Sequence, residues 1–465
     1  MISQSVRKRS GAIARRVSLR SILRVSMPVS VLLYCAAFHY SYIKWISPVW
    51  AYGGLTYKTP APALLALAYA LAALLCAVSP LKLRRPSHAI YWMLYFTVYI
   101  PGLFVPLFVQ LDPDFSLFLL QLSLAGGMLV IALSYRFPLL TFRRYPLDPS
   151  LFWGICAVVY LVGNGALLAV YHNNLHFASV ETMYSLRHQA GRVLEENPAI
   201  GYVSRLMANV MDPLLMAYGL VNHRNTLTVL GVMGELLVYS TASAKASFLS
   251  PFLVAGLYYT IKSDRGGWVP KLGLSLAGAF LGLTTLVIGA KPGVLFDLAS
   301  VTLVRTFATP GVLMGDYYHF FENRQHTHLG NVTGLSLLAT NPYTLSVGVE
   351  MGAYYGFKES SERGRVNENA NFFATDGIAG FGLPGILMMG TFCAAVFWVL
   401  DSSAKSYSME FSVPALAMVM LSITNVSLFT TLLGNGLIAW VLLFMIMPRS
   451  RIGADEPAHT IQNCG

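Results

Sequence analysis

Charge is what this chain has least of. Only 11% of its 465 residues are charged, against 55% hydrophobic, and the mean hydropathy is +0.58. Soluble domains carry about 25% charged residues. A chain so poor in charge cannot clothe a water-facing surface, so lipid is its expected solvent. Cysteine is equally scarce. Four of the five lie in apolar runs (Cys35, Cys76, Cys156, Cys393) and Cys464 lies in the tail, none at metal-ligand spacing. Neither a disulfide framework nor a zinc site is expected. The sequence shows no internal repeat, low-complexity tract or soluble domain. No small-residue cleavage site follows the basic head, so no cleavable leader is expected.

The apolar runs predict an all-α polytopic membrane protein of about 12 transmembrane helices. They fall at about 26–43, 61–80, 89–109, 115–134, 150–171, 201–220, 226–240, 247–261, 272–290, 376–400, 411–427 and 432–447. The seventh and eighth are short and form either a hairpin or one helix broken at Ser240–Ser247. Asn425 and Gly434-Asn435-Gly436 interrupt the last pair. The net charge of +11 invites a nucleic-acid reading, but its distribution excludes one. With the N-terminus inside, twenty of the 32 Lys and Arg fall in cytoplasmic segments, seven of them in the head 1–25. This is the positive-inside pattern, with both termini cytoplasmic and a short tail at 448–465. Membrane lipid is the expected neighbour of the basic head.

Two segments on the far side are long: 172–200 and the large loop 291–375. Unstructured loops beyond about 15 residues are uncommon unless functional. The apolar stretches of the large loop suggest helices lying on the membrane surface. Basic residues out here oppose the orientation rule and call for an anionic ligand, or for neutralisation by acids of the same loops. Arg305, in an apolar surround, favours a ligand, whereas Lys358, Arg363 and Arg365 beside Glu359 and Glu362 favour a solvated stretch. Lys245, in a run of Ser and Ala, either meets a pyrophosphate or reaches the outer surface. Arg205 and Asp212, seven apart, are expected on one helix face, with Glu235 on the next helix as a structural partner or a site.

The patch Asp316-Tyr317-Tyr318-His319 through His328 offers His319, His326 and His328 as general bases and aromatic rings for sugar faces. A metal held by His326 and His328 lacks a third ligand at motif spacing. The segment Asn367-Glu-Asn-Ala-Asn-Phe-Phe-Ala-Thr-Asp376-Gly supplies amides and carboxylates, either for a polyhydroxylated ligand or as a helix cap. Gly377, Gly380, Gly382 and Gly385 permit close helix packing.

This segment, Asn369-Ala-Asn371-Phe-Phe-Ala374 … Asp376-Gly377 … Gly380 … Gly382 … Gly385, resembles the Asn- and Gly-rich run entering a late helix of bacterial O-antigen and exopolysaccharide repeat-unit polymerases of the Wzy type. The twelve-helix layout, the loop with Tyr184-Ser-Leu-Arg187, the Lys245 segment and the late loop with Arg305 are similar too. The resemblance implies a GT-C-like glycosyltransferase of the bacterial inner membrane, working at the periplasmic face on undecaprenyl-pyrophosphate-linked glycans. Neither a nucleotide sugar, a metal nor another cofactor is implied, and a chain-length regulator is the partner the resemblance suggests. On this reading Arg187, Arg205, Lys245 and Arg305 hold pyrophosphate. A histidine among His319, His326 and His328, or Asp376, activates the acceptor hydroxyl. Asn369, Asn371, Tyr184, Tyr317 and Tyr318 face sugar. Two rivals share parts of this pattern: the O-antigen ligase, and a transporter or flippase of lipid-linked sugars.

Overall fold

The computed structural model describes residues 26–172, 175, 197–242, 245–263, 268–291, 293–332, 335–357, 368 and 371–448. Among these residues all regular structure is helical. We number the helices α1 (26–53), α2 (Pro62–Val78), α3 (Pro86–Val109), α4 (Asp114–Ser134), α5 (Pro149–Tyr171), α6 (198–221), α7 (Asn225–Ala242), α8 (Lys245–Ser263), α9 (Trp268–Val287), α10 (Val294–Glu322), α11 (347–357), α12 (Phe373–Ala404), α13 (Met409–Ala415), α14 (Ala417–Ile423), α15 (Leu428–Leu433) and α16 (Leu437–Ile446). Seven described stretches are long and apolar enough to cross a membrane: α3, α4, α5, α9, α10, α12 and the α15–α16 pair.

The two undecided regions resolve differently. α7 and α8 form a hairpin, since the Tyr239 and Phe248 rings are 5.3 Å apart and Ser250 Oγ donates to Glu235 at 2.7 Å. The last apolar pair is broken into four short helices. Gly436 at φ +84 ends the α15 turn, a conformation only glycine adopts freely.

Helix directions follow from the contacts. Tyr34 of α1 donates to the Phe96 carbonyl of α3 at 2.8 Å, and His39, further along α1, stacks on Phe108 at 4.8 Å. Thr284 of α9 donates to Ser41 at 2.7 Å, and Gly273 packs on Ser30. Helices α1, α3 and α9 therefore run the same way. We call the end they reach distal and the other proximal.

α10 corrects the expectation of helices lying on the membrane surface. Its C-terminal arm packs Gly311 on Pro101, Gly315 on the Pro106 ring and His319 on Asp112, so it also runs towards the distal end. α9 has just arrived at that end. The arm between them dips into the bundle, from Phe296 beside Trp45 to Phe307 beside Phe280 and Tyr34. A π-helical stretch over Ser300–Ala308, followed by Pro310, accommodates the bend. α10 thus enters and leaves at one end, with Leu303, Phe307, Met314 and Phe321 buried.

α12 is broken as well. Phe381 and Gly382 leave helical geometry, and Gly382 sits at φ 67, ψ −150. Its first arm, up to Gly380, folds back so that Gly377 and Gly385 meet backbone to backbone. Thr375 Oγ1 accepts from the Phe372 N–H at 2.9 Å and caps this arm. The long arm runs to the proximal end, where Asp401 caps α3 by accepting from Ser87 N at 3.0 Å and Ser87 Oγ at 2.6 Å.

Candidate active site

At the distal end the C-terminal arm of α10 brings His319 to the α3–α4 turn. Gln110 closes α3 in the left-handed region at φ 51, which turns Leu111-Asp112-Pro113 back over the helix end. Asp112 is buried there. His319 Nδ1 donates to Asp112 Oδ1 at 2.8 Å, a contact between residues 207 apart in sequence. The Asp112 side chain is 2% exposed and that of His319 is 28% exposed. Asp112 thus fixes the imidazole tautomer and leaves Nε2 as the proton acceptor on the accessible side.

Further carboxylates crowd the dyad. Glu322 approaches Asp112 and accepts from Ser116 Oγ at 3.4 Å. Asp316 and Glu368 lie within electrostatic range of each other and of Tyr355. Carboxyl groups outnumber the described cations in this corner, which suits a proton acceptor better than a clamp built of several cations. A cation close to this corner is Arg324, whose guanidinium lies 4.7 Å over Phe320 and 4.9 Å over Tyr354. The Tyr354 ring, half exposed, is also 6.4 Å from the His319 ring. Tyr354 therefore stands between the base and a cation.

Burial pushes the Glu368 carboxyl up to about 7. The folded chain holds this proton more tightly than the unfolded one. Its contribution to stability is complete below the ordinary glutamate value of 4.5 and is lost as pH rises to about 7. Over that window the melting temperature should fall by the equivalent of up to about 3 kcal/mol. Glu368→Gln should flatten the profile between those limits, as read by thermal unfolding in detergent at stepped pH.

The other expected site residues divide. Tyr317, Asn371 and Asp376 line one small cavity with room for about one water, roughly 10 Å³ for its centre. All three are buried, and Tyr317 donates to the Glu368 carbonyl at 3.3 Å. Asp376 is committed to structure. Its Oδ2 accepts from Leu428 N at 2.7 Å and Ser427 Oγ at 3.0 Å, capping α15. His326 and His328 flank Thr327 in a loop that closes the first arm of α12. Thr327 N donates to the Ala379 carbonyl at 2.8 Å and His328 N to that of Gly380 at 3.2 Å, satisfying carbonyls left open at the helix end. Burial and the neighbouring His328 lower the pKa of His326, which stacks on Phe321. Tyr318 is buried beside Ser116.

The four residues expected at pyrophosphate are not brought together by the described contacts. Arg305 is exposed on the π-helical stretch of α10, about 20 Å along the axis from His319. Arg205 is exposed on α6, over the Tyr202 ring at 4.9 Å and near Gly434. Arg187, Tyr184 and Asn369 lie outside the described residues, as does the side chain of Lys245. Arg205 and Asp212 do not share a face. A π turn over Met207–Met211 shifts the register between them, leaving Arg205 exposed and Asp212 buried.

Asp212 instead meets Glu235 of α7. Both are fully buried, Glu235 accepts from Ser250, and the missing Cβ of Gly234 makes room for the Asp212 carboxylate. Among the described residues neither Asp212 oxygen has a hydrogen-bond partner.

No family model, curated protein or solved structure matches the chain. The functional reading therefore rests on these residues. Sequence reasoning missed two of them, Asp112 and Tyr354. The signal for Asp112 was an acid between helix-ending Gln110 and Pro113 in an otherwise short loop.

Proposed function

We propose that this chain is a membrane glycosyltransferase that polymerises undecaprenyl-pyrophosphate-linked oligosaccharide repeat units. The Asp112–His319 dyad carries the proposal. His319 Nε2 takes the proton of the acceptor hydroxyl. The hydroxyl oxygen bonds to the anomeric carbon of the growing glycan, the bond from that carbon to pyrophosphate oxygen breaks, and lipid pyrophosphate leaves. Asp112 stabilises the imidazolium that forms. Tyr354 offers its half-exposed ring to a sugar face, and Arg324 offers its guanidinium to the leaving group. α10 returns to the distal end carrying the base, and α12 breaks at that same end, where the lipid-linked sugar would meet His319. In a GT-C-like arrangement this end faces the periplasm, as the loop charge predicts.

Loss of the gene separates polymerase from ligase. A polymerase null leaves single repeat units on the lipid A core. A ligase null leaves bare core with lipid-linked polymer retained, and that outcome would reject the polymerase reading.

The buried Asp212–Glu235 pair favours one other reading, a transporter or flippase of lipid-linked sugars. Buried carboxyls without a described counter-charge are costly, and within a membrane such groups mark ion or proton paths in transporters.

A further inference from the structure

A second cavity opens at the proximal end, where α2 finishes, α3 begins and α4 finishes. Its volume is about 440 Å³, within the range of small-ligand pockets. Lys82, Arg84, Arg85 and Arg136 line it, together with His88 and Tyr135, and no Asp or Glu is among the lining residues. None of the four cations forms an ion pair with a described carboxylate. The carboxylate whose charge reaches Arg85, Asp401, already accepts two hydrogen bonds from Ser87.

The walls are held by bonds from the helices behind them. Trp92 Nε1 donates to the Pro80 carbonyl at 2.8 Å, and His88 Nδ1 donates to that of Lys82 at 2.7 Å. Arg85 Nη2 donates to the Phe137 carbonyl at 2.8 Å, with its guanidinium 6.0 Å over Tyr135. His88 is 5% exposed, and its Nε2 is buried without a partner among the described residues. The pinned loop and the end of α4 thus present four cations to one space, with no carboxylate lining it and only the charge of Asp401 reaching one of them. Such a group repels itself until an anion enters, and three of its members carry the planar fork that matches phosphate oxygens.

We propose that this pocket binds the phosphate group of an anionic ligand, supplied either by a phospholipid headgroup or by a soluble phosphate. It lies at the opposite end of the bundle from His319 and does not depend on the proposed activity. Its position at three helix ends is where headgroup phosphates run, and basic pockets between helices on the cytoplasmic side select anionic lipids.

Native mass spectrometry of the purified full-length protein tests this, after titration with phosphatidylglycerol, phosphatidylcholine or inorganic phosphate. Phosphatidylglycerol adducts should exceed phosphatidylcholine adducts by about tenfold if the lipid is the source. Those adducts should then survive excess phosphate. A soluble source predicts phosphate adducts on delipidated protein and a phosphate-dependent rise in melting temperature. In either case Arg84→Gln/Arg136→Gln should remove the effect. That pair leaves the Arg85–Phe137 bond intact, so folding is preserved, and an unchanged elution profile checks this. Arg143→Gln, a cation of the α4–α5 loop outside the pocket, should leave the effect unchanged. The proposal is overturned by equal adducts of both lipids with no phosphate adduct, by an effect that persists in the double variant, or by an equal loss in Arg143→Gln, which would indicate diffuse surface charge.

Discussion

His319→Gln should lower elongation of lipid-linked repeat units by about 10²–10⁴-fold, with the protein still folded. The side chain is partly exposed and its one described bond is to Asp112, so its loss opens no apolar cavity. Asp112→Asn should lose activity to a comparable extent. An amide can donate to Nδ1 and so select the wrong tautomer, leaving a protonated Nε2 that cannot accept the hydroxyl proton. The double variant should be no worse than the poorer single, because the two residues act as one unit. These rates are read as glycan length against time with purified protein, lipid-linked repeats and detergent. Circular dichroism of each variant separates chemistry from misfolding. Losses that multiply in the double variant would show that the residues act independently.

Gly385→Val should abolish the folded state. A Cβ at Gly385 falls onto the Gly377 backbone, and one at Gly377 falls onto that of Gly385. Neither obstacle is a side chain that can turn away, and overpacking of this kind costs about 1–3 kcal/mol even for modest additions. A branched side chain adds two further methyls in the same place. The arm up to Gly380 would part from the long arm of α12, releasing the Asp376 cap on α15 and the bonds from Thr327 and His328. Gly278→Ala makes the contrast. Its Cβ meets nothing within 4 Å, so exchanging glycine for a better helix former should stabilise α9 by up to about 1 kcal/mol. Monodispersity on size exclusion and melting temperature in detergent measure both.

The apolar runs made most helices legible, with ends within a few residues, because burial in lipid imposes a long hydrophobic stretch whatever the tertiary packing. α10 was not legible as one element. Arg305 and Asp316 interrupt its hydropathy, and a helix that bends back to one end needs no uninterrupted spanning run. At the Asn-rich segment the described caps are Thr375, on the first arm of α12, and Asp376, on α15. The same-face argument for Arg205 and Asp212 failed because a π turn changes the period, and hydrophobic spacing does not announce it. His319 was visible as a titratable group in an aromatic patch. Its partner was not, since only the parallel packing of α10 on α3 joins residues 207 apart.

The measurement that bears most directly on the account is elongation by the purified chain in detergent, with lipid-linked repeat units as both donor and acceptor. Detergent abolishes compartments, so transport cannot contribute. The account predicts a ladder of longer glycans with release of lipid pyrophosphate, absent from His319→Gln and from Asp112→Asn. A folded protein that forms no ladder, or a ladder undiminished in both variants, would contradict it.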